Sequence, residues 1–409
     1  MCLDRGIITG YVSRPNFIIG RSLAGFRFQK LKMLKKGEAL AIHKKIHGKI
    51  AIASKLPIRT KHDLSIAYTP GVAEVSTFLA QNKDRVGEYT SRGNTIAVVS
   101  DGSAVLGLGN IGPEGALPVM EGKCILFKHF GDVDAIPIVL STTDPEEIIR
   151  TVQAIAPTFG GINLEDIAAP NCFYIERELK KSLDIPVFHD DQWGASVVVL
   201  AGLINALPLV KKTFKHVRIV VSGAGAAGWA IVKLLHRYGA TDILVVDRSG
   251  IICRNREGDN KYKRELAELS NPHRIEGDLA TACQAADVFI GVSSGEILKP
   301  EMVATMNSDA IVFALANPVP EIMPDLAKAA GATIIATGRS DFPNQINNAL
   351  VFPGIFRGAL DNKIKIIRKS MLVAAAENLA KLVKNPHPAK IIPSIFDKGV
   401  MESVSSAIK

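Results

Sequence analysis

Short apolar runs and longer amphipathic stretches alternate along most of this chain. Residues 95–100 are an apolar run closed by Asp101-Gly102, the pattern of a buried strand entering a turn. Before it, 37–47 has helical spacing, and Thr69-Pro70-Gly71 is a turn that opens a second helix over 72–82. After it, strands are predicted at 135–140, at a run closing on 162–163, and at 186–188, with an acidic-headed helix over 145–155. A long helix is expected over 195–207. The pattern then becomes regular: strand 217–221, helix 226–238, strand 242–246, and further strands at 287–292, 310–314 and 333–336. Strands alternating with helices imply a parallel sheet covered on both faces. The expected fold class is therefore α/β, closed by helices near 365–384 that return to the first half.

Composition narrows this. The chain has 409 residues, 47% hydrophobic and 22% charged, the balance of a globular protein with two or three domains. Its longest apolar stretch, 197–210, is broken by Asn205 and Pro208 and falls short of the ~20 residues needed to cross a bilayer, so no membrane association is expected. The net charge of +9 is local: residues 1–62 hold 14 Lys/Arg and 2 Asp/Glu, and the body is nearly neutral. That excludes an extended basic face, and no nucleic acid is expected as a partner. Cys2, Cys124, Cys172, Cys253 and Cys283 are scattered without a C-x-x-C, which fits a reducing, cytoplasmic setting. Residues 1–36 form a basic extension, read as a disordered tail or as sequence preceding a true start at Met33, ahead of a transit peptide.

Two glycine loops compete for a phosphate site. Gly223-Ala224-Gly225-Ala226-Ala227-Gly228 follows a strand and opens a helix. The first glycine permits a tight turn, the second a close backbone approach to pyrophosphate, and the third close helix–strand packing. Asp247 ends the next strand, where an acid accepts from a ribose hydroxyl. The adjacent Arg248 suits a 2′-phosphate instead, so NAD is slightly favoured and NADP allowed. Gly107-Leu108-Gly109-Asn110-Ile111-Gly112 has the same spacing, but Pro113 and Pro118 are expected to prevent an immediate long helix, so it reads as a structural or substrate-side loop. A Rossmann-like, doubly wound dinucleotide domain is thus assigned to 193–348. An α/β substrate and metal domain is assigned to 37–192 and a helical segment packing on it to 349–409.

Acids gather at two predicted strand ends, Asn163-Leu164-Glu165-Asp166 and His189-Asp190-Asp191. Glu165, Asp166 and Asp191 suit a hard divalent ion, Mg2+ or Mn2+, although helix capping and solvated turns explain such acids equally well. Tyr68 and Lys123 are possible proton carriers, and by themselves read as a packing tyrosine and a surface lysine. Asn317, Asn344, Gln345, Asn347 and Asn348 form an amide-rich group able to orient a carboxylate or carboxamide, or an ordinary polar loop.

Taken in order, these segments resemble the short, bacterial-type malic enzymes. The carriers are Ser65 through Ala73, Asp101-Gly102 through Gly112, Glu121-Gly122-Lys123, the two acidic stretches, the second glycine loop, Ala316-Asn317-Pro318, and Pro343 through Gly354. The likeness runs from about 37 to 395. It implies NAD(P)-dependent oxidative decarboxylation of malate. Lys123 would be the general base with Asp190 beside it, and Tyr68 the general acid. Glu165, Asp166 and Asp191 would hold the metal. Asn317, Asn347 and Asn348 would lie at substrate or nicotinamide, and the assembly would be a homodimer or larger. One departure stands out: Trp193-Gly194-Ala195 replaces the His-Gly-Thr usual after Asp190-Asp191-Gln192, which is expected to alter substrate fit, cofactor fit or rate. Two alternatives remain open: a metal-independent dehydrogenase of amino-acid type, and a catalytically weak dinucleotide-binding regulator, motivated by Trp193.

Overall fold

The computed structural model describes residues 37–105 and 107–409; the expectations for residues 1–36 lie outside them. Two sheets organise the chain. The first takes β1 (Thr95–Ser100), β2 (Asp134–Val139), β3 (Gly161–Leu164) and β4 (Val187–His189) in the order β2-β1-β3-β4, all parallel. The second takes β5 (Arg218–Ser222), β6 (Asp242–Asp247), β7 (Gly250–Ile251), β8 (Val288–Gly291), β9 (Ala310–Ala314) and β10 (Ala332–Thr337) in the order β10-β9-β8-β5-β6-β7. Only β7 is antiparallel, pairing with β6. β1, β3, β4 and β9 are buried along their whole length. That is why they read as continuous apolar runs rather than alternating ones.

The second sheet reverses direction at β5, which lies between β6 and β8. The crevice beyond the carboxyl ends of β5 and β8 is where such sheets bind ligands. The helix Asp190–Leu209 leads from the first sheet to the second. It packs against the helices Ala226–Tyr238 and Lys369–Lys381 and is buried along most of its length. It is long and apolar enough to span a bilayer, but 72% of its apolar window is buried inside the fold. The chain then returns: Phe352 and Phe356, on the helix Phe352–Asp361, stack on Phe127 at ring distances of 4.6 and 5.4 Å.

Two expectations fail here. The helix Gly112–Gly131 does begin at once after the first glycine loop and runs 20 residues. Pro113 occupies its opening turn, where no intrahelical N–H is required. Pro118 lies inside the helix, whose buried face of Ala116, Met120, Cys124 and Phe127 compensates for the missing bond. The second long helix starts at Asp190 rather than 195, so Asp190 and Asp191 lie in a helical first turn, not in a loop. Acids there are favoured by the N-terminal dipole.

The segment before β1 behaves differently. The helices Glu38–Ile46, Lys61–Ala67 and Val72–Gln81 contain no buried residue. Leu40, Ile52, Ile58, Ile66 and Tyr68 are all exposed. Lys49 tethers this segment to the body, donating from its backbone to Glu121 and from its ammonium to the Pro118 carbonyl.

Candidate active site

Four acids and a lysine converge from three elements. Lys123 comes from the helix Gly112–Gly131, Glu165 and Asp166 follow β3, and Asp190 and Asp191 open the helix after β4. The Lys123 ammonium lies 2.6 Å from Asp190 Oδ2 and 2.7 Å from Glu165 Oε1, and is only 8% exposed. It also sits 4.1 Å from the centroid of the Phe352 ring, a cation–π contact that covers its remaining face. Gly194 makes room: a Cβ there would strike the Asp190 carboxylate and crowd Asn348.

Glu165, Asp166 and Asp191 each bring a carboxylate oxygen to within 4.8 Å of the others. Asp166 adopts a left-handed backbone conformation at φ 54°, and its N–H donates to Asp191 Oδ2 at 2.8 Å, which ties the two acidic stretches together. Ser103, after β1, accepts from the Ala168 N–H at 2.8 Å and braces the same corner. His189 is fully buried, and burial pushes its pKa down to about 4, so it stays neutral beside them.

The charges do not balance. Burial pushes Glu165 well above the ordinary carboxylate range. Lys123 pulls it back, while Asp191, Asp190 and Asp166 add to the rise. Asp190 is raised to about 6, mainly by burial against the pull of Lys123. Burial also works to strip the proton from Lys123, yet Asp190, Glu165 and Asp191 outweigh it and hold the ammonium. Four carboxylates around one ammonium leave an excess of negative charge in a desolvated place. Three hard oxygen donors within one small patch fit a divalent cation, which removes that excess.

The second glycine loop, Gly223 to Gly228, faces this cluster across a shared cavity. Gly223 has φ +119°, and a Cβ there would lie 2.7 Å from the Val292 carbonyl. A Cβ on Gly228 would collide with the Gly223 carbonyl, while one on Gly225 would meet nothing, leaving an open cradle at the N-terminus of the helix Ala226–Tyr238. That N-terminus has no side-chain cap, so its amides remain available to an anion. A cavity of about 530 Å³ runs from Gly225, Ala226 and Ala227 to Asp166 and Asp191, and Asn317, Asn347 and Asn348 also line it. A second cavity, about 610 Å³, continues past Gly223 to Asp247 and Arg248.

Asp247 is already engaged. Its Oδ1 accepts from the Ser249 N–H at 2.8 Å and from Arg256 at 2.9 Å, and its Oδ2 accepts from Arg256 at 2.6 Å and Lys263 at 2.7 Å. Against burial, these bonds hold its pKa down to about 2. Arg256 and Lys263 are not marked by any motif: both lie in a polar stretch beyond the strand, and only the fold brings them back.

Tyr68 stands apart. It caps the exposed helix Lys61–Ala67 and is itself 67% exposed, whereas Lys123 is buried among its acids. Trp193 is also placed unexpectedly. Its ring turns away from the acids and is buried; Nε1 donates to Glu176 at 2.9 Å, and the ring lies 5.8 Å from Trp229. A helix explains this: each residue turns about 100° from the last, so Asp191 and Trp193, two positions apart, serve nearly opposite faces. The motive for a regulator built around Trp193 is therefore gone.

Comparison with known proteins agrees with this geometry. The family description "Malic enzyme, N-terminal domain" matches residues 47–180, and "Malic enzyme, NAD binding domain" matches 193–408. A bifunctional malic/malolactic enzyme of Bacillus subtilis is 54% identical over 374 residues, covering 91% of each chain. A NAD-dependent malic enzyme of Geobacillus stearothermophilus is 54% identical over 365 residues, 89% of this chain and 76% of that one. The crystal structure of a NAD-dependent malic enzyme from Thermotoga maritima superposes with a TM-score of 0.88 at 53% identity, covering 91% of this chain and 98% of that chain. The chain belongs to the malic enzyme family.

Proposed function

We propose that this protein oxidises malate with a nicotinamide dinucleotide and releases CO2 and pyruvate, with Lys123 as general base. The observation that carries the reading is the buried ammonium held between Asp190 and Glu165, beside three clustered carboxylates and next to the dinucleotide cavity. Glu165, Asp166 and Asp191 would hold Mg2+ or Mn2+, which supplies Lewis-acid polarisation at the C2 oxygen. The dinucleotide supplies the hydride acceptor. Lys123 then takes the proton of the C2 hydroxyl at Nζ. It can do so only as the free amine: with Glu165 and Asp191 neutralised, the ammonium would first release one proton to solvent, and Asp190 keeps the amine in place. Asn317, Asn347 and Asn348 orient the bound groups without adding charge. Malate-dependent growth of the reduced-nicotinamide absorbance, abolished by EDTA and restored by Mn2+, is the expected result. Turnover insensitive to EDTA would favour the metal-independent alternative.

Tyr68 fits as the general acid that protonates C3 only if it reaches the site of a second copy. The unburied helices before β1 and their exposed apolar side chains support a homodimer in which this arm crosses over. Mixing inactive Tyr68→Phe and Lys123→Ala proteins, unfolded and refolded together, should restore activity to about a quarter of wild type, because a mixed dimer carries one intact site. No recovery would place the tyrosine in its own chain's site or outside catalysis.

For the cofactor, the saturated Asp247 supports acceptance of both dinucleotides. A 2′-hydroxyl must displace one of its partners. Lys263 is the looser, with a side chain 31% exposed against 14% for Arg256. A 2′-phosphate instead meets Arg248, Arg256 and Lys263. The two sheets and the returning helices support the division at 37–192, 193–348 and 349–409. All four described cysteines are unpaired, which supports a cytoplasmic location.

A further inference from the structure

Glu321 is a fully buried acid that the mechanism does not use. It lies just beyond Asn317-Pro318, and its carboxylate faces back across the carboxyl ends of β8 and β9. Oε1 accepts from the Ser293 N–H at 3.0 Å, and Oε2 accepts from the Ala316 N–H at 3.0 Å. One carboxylate thus joins the loop after β8 to the loop after β9. Ser293 is in turn linked to the start of the dinucleotide loop, with its Oγ 3.1 Å from that of Ser222. Gly291 gives the acid its place, because a Cβ there would collide with the Glu321 carboxyl group.

The far end of this bridge meets the other half of the molecule. The carbonyl oxygen of Asn317 lies against Gly107, so closely that a Cβ on Gly107 would collide with it. From the opposite side, a Cβ on Gly338 would lie 2.6 Å from Asn317 Nδ2. Gly107 belongs to the first glycine loop, and it lines the same cavity as Asp166, Asp191 and Gly225. Asn317 is therefore held between a substrate-side glycine and a dinucleotide-side glycine, with Glu321 fixing the backbone behind it.

We propose that Glu321 is a positioning residue that sets the distance between the nicotinamide-facing loop at Ala316–Asn317 and the substrate-side loop at Gly107. It acts through Ala316, Asn317 and Ser293, not by touching reactants. The first glycine loop has a role on this account: it is the surface against which the Asn317 carbonyl rests. A carboxylate is required because both its oxygens receive N–H donors. Glutamine would turn an NH2 toward one of those amides and break one side of the bridge. Hydride transfer is sensitive to such placement, since a shift of about 1 Å costs on the order of 100-fold in rate.

The proposal rests on the malate-oxidising reading, and the test separates the two. In Glu321→Gln we expect kcat to fall roughly 10–100-fold, the primary deuterium isotope effect with C2-deuterated malate to rise, and dinucleotide affinity by calorimetry to weaken. Mn2+ affinity, read by electron paramagnetic resonance, should stay at the wild-type value. A merely structural residue would lower the active fraction and leave the isotope effect alone. Wild-type kcat and isotope effect, or Mn2+ affinity falling together with dinucleotide affinity, would overturn the assignment. Should Glu321→Gln not fold, Gly107→Ala presses on the same Asn317 carbonyl with the bridge intact. It must raise the isotope effect, and a wild-type isotope effect there overturns the proposal. If the unaltered protein does not oxidise malate, the functional reading fails by itself, and dinucleotide against Mn2+ affinity in Glu321→Gln still decides the bridge.

Discussion

Asp190 and Asp247 are the same residue type at the end of a parallel strand, each beside a cation, and their carboxyls shift in opposite directions. Asp190 is fully buried, and burial raises it to about 6 despite Lys123 at 2.6 Å. Asp247 is partly open, and Arg256 and Lys263 bring it down to about 2 against a weaker burial effect. The difference lies in company as well as depth. Around Asp190, Glu165, Asp166 and Asp191 outnumber the single ammonium of Lys123. Around Asp247, Asp259 completes a balanced set with Arg256 and Lys263. The first cluster carries uncompensated charge and fits a divalent ion. The second is satisfied by itself, and a ligand can enter only by exchange. A cluster that stays unsatisfied in a desolvated place signals chemistry, whereas a satisfied one signals selection.

The strongest way to break the first cluster is to remove its cation. Lys123→Met should lower kcat roughly 100–10,000-fold, the range general-base catalysis supplies. With EDTA present the same variant should also unfold at lower denaturant, because removing one partner of a buried pair costs about 3–5 kcal/mol. An unchanged kcat would end the role assigned to Lys123. In the second cluster, Lys263→Met should raise KM for NADP about tenfold relative to NAD, one lost phosphate contact being worth on the order of 1.4 kcal/mol. Equal KM changes for both dinucleotides would show that Lys263 does not discriminate.

Acid titration sharpens the contrast. The Asp247 carboxyl is lower in the folded than in the unfolded chain, so its stabilisation is complete above about pH 4 and is lost as pH falls toward 2. Asp190 is raised on folding, so the folded chain binds the extra proton between about pH 4 and 6, and stability from this group grows as pH falls through that window. Denaturant midpoints without metal should therefore respond to Asp190→Asn and Asp247→Asn with opposite pH slopes; slopes of one sign would refute the comparison. The smallest effect on activity is expected at Trp193. Trp193→Phe should leave kcat within about twofold while costing roughly 1.5–3 kcal/mol of stability, the range for a hydrogen bond to a charged group. A large loss of kcat would place that ring nearer the reaction than its contact with Glu176 implies.

Much of the site was legible before any coordinates. The glycine loop, the acids after β3 and β4, and Lys123 all lie in short segments whose order carries the family likeness. Other features were not. Pro118 argued against a helix that the packing of Met120, Cys124 and Phe127 nevertheless stabilises. Trp193 follows Asp191 by only two residues, but helical rotation turns its ring to the opposite face, toward Glu176. Arg256, Lys263 and Glu321 carry no local signature; only the fold brings them to Asp247 and Ser293.

The sequence by itself determined the alternation of strands and helices, the glycine loop between a strand and a helix, and the inventory of acids, because these depend on periodicity and on short spacings along one backbone. Tertiary structure decided which groups share a charge environment, which way each side chain points, and that Tyr68 is exposed while Lys123 is buried among acids. Burial and electrostatic pairing are properties of space rather than of order along the chain. Two aspartates that look alike in sequence therefore shift in opposite directions, one raised by burial to about 6 and the other held down to about 2 by its cations.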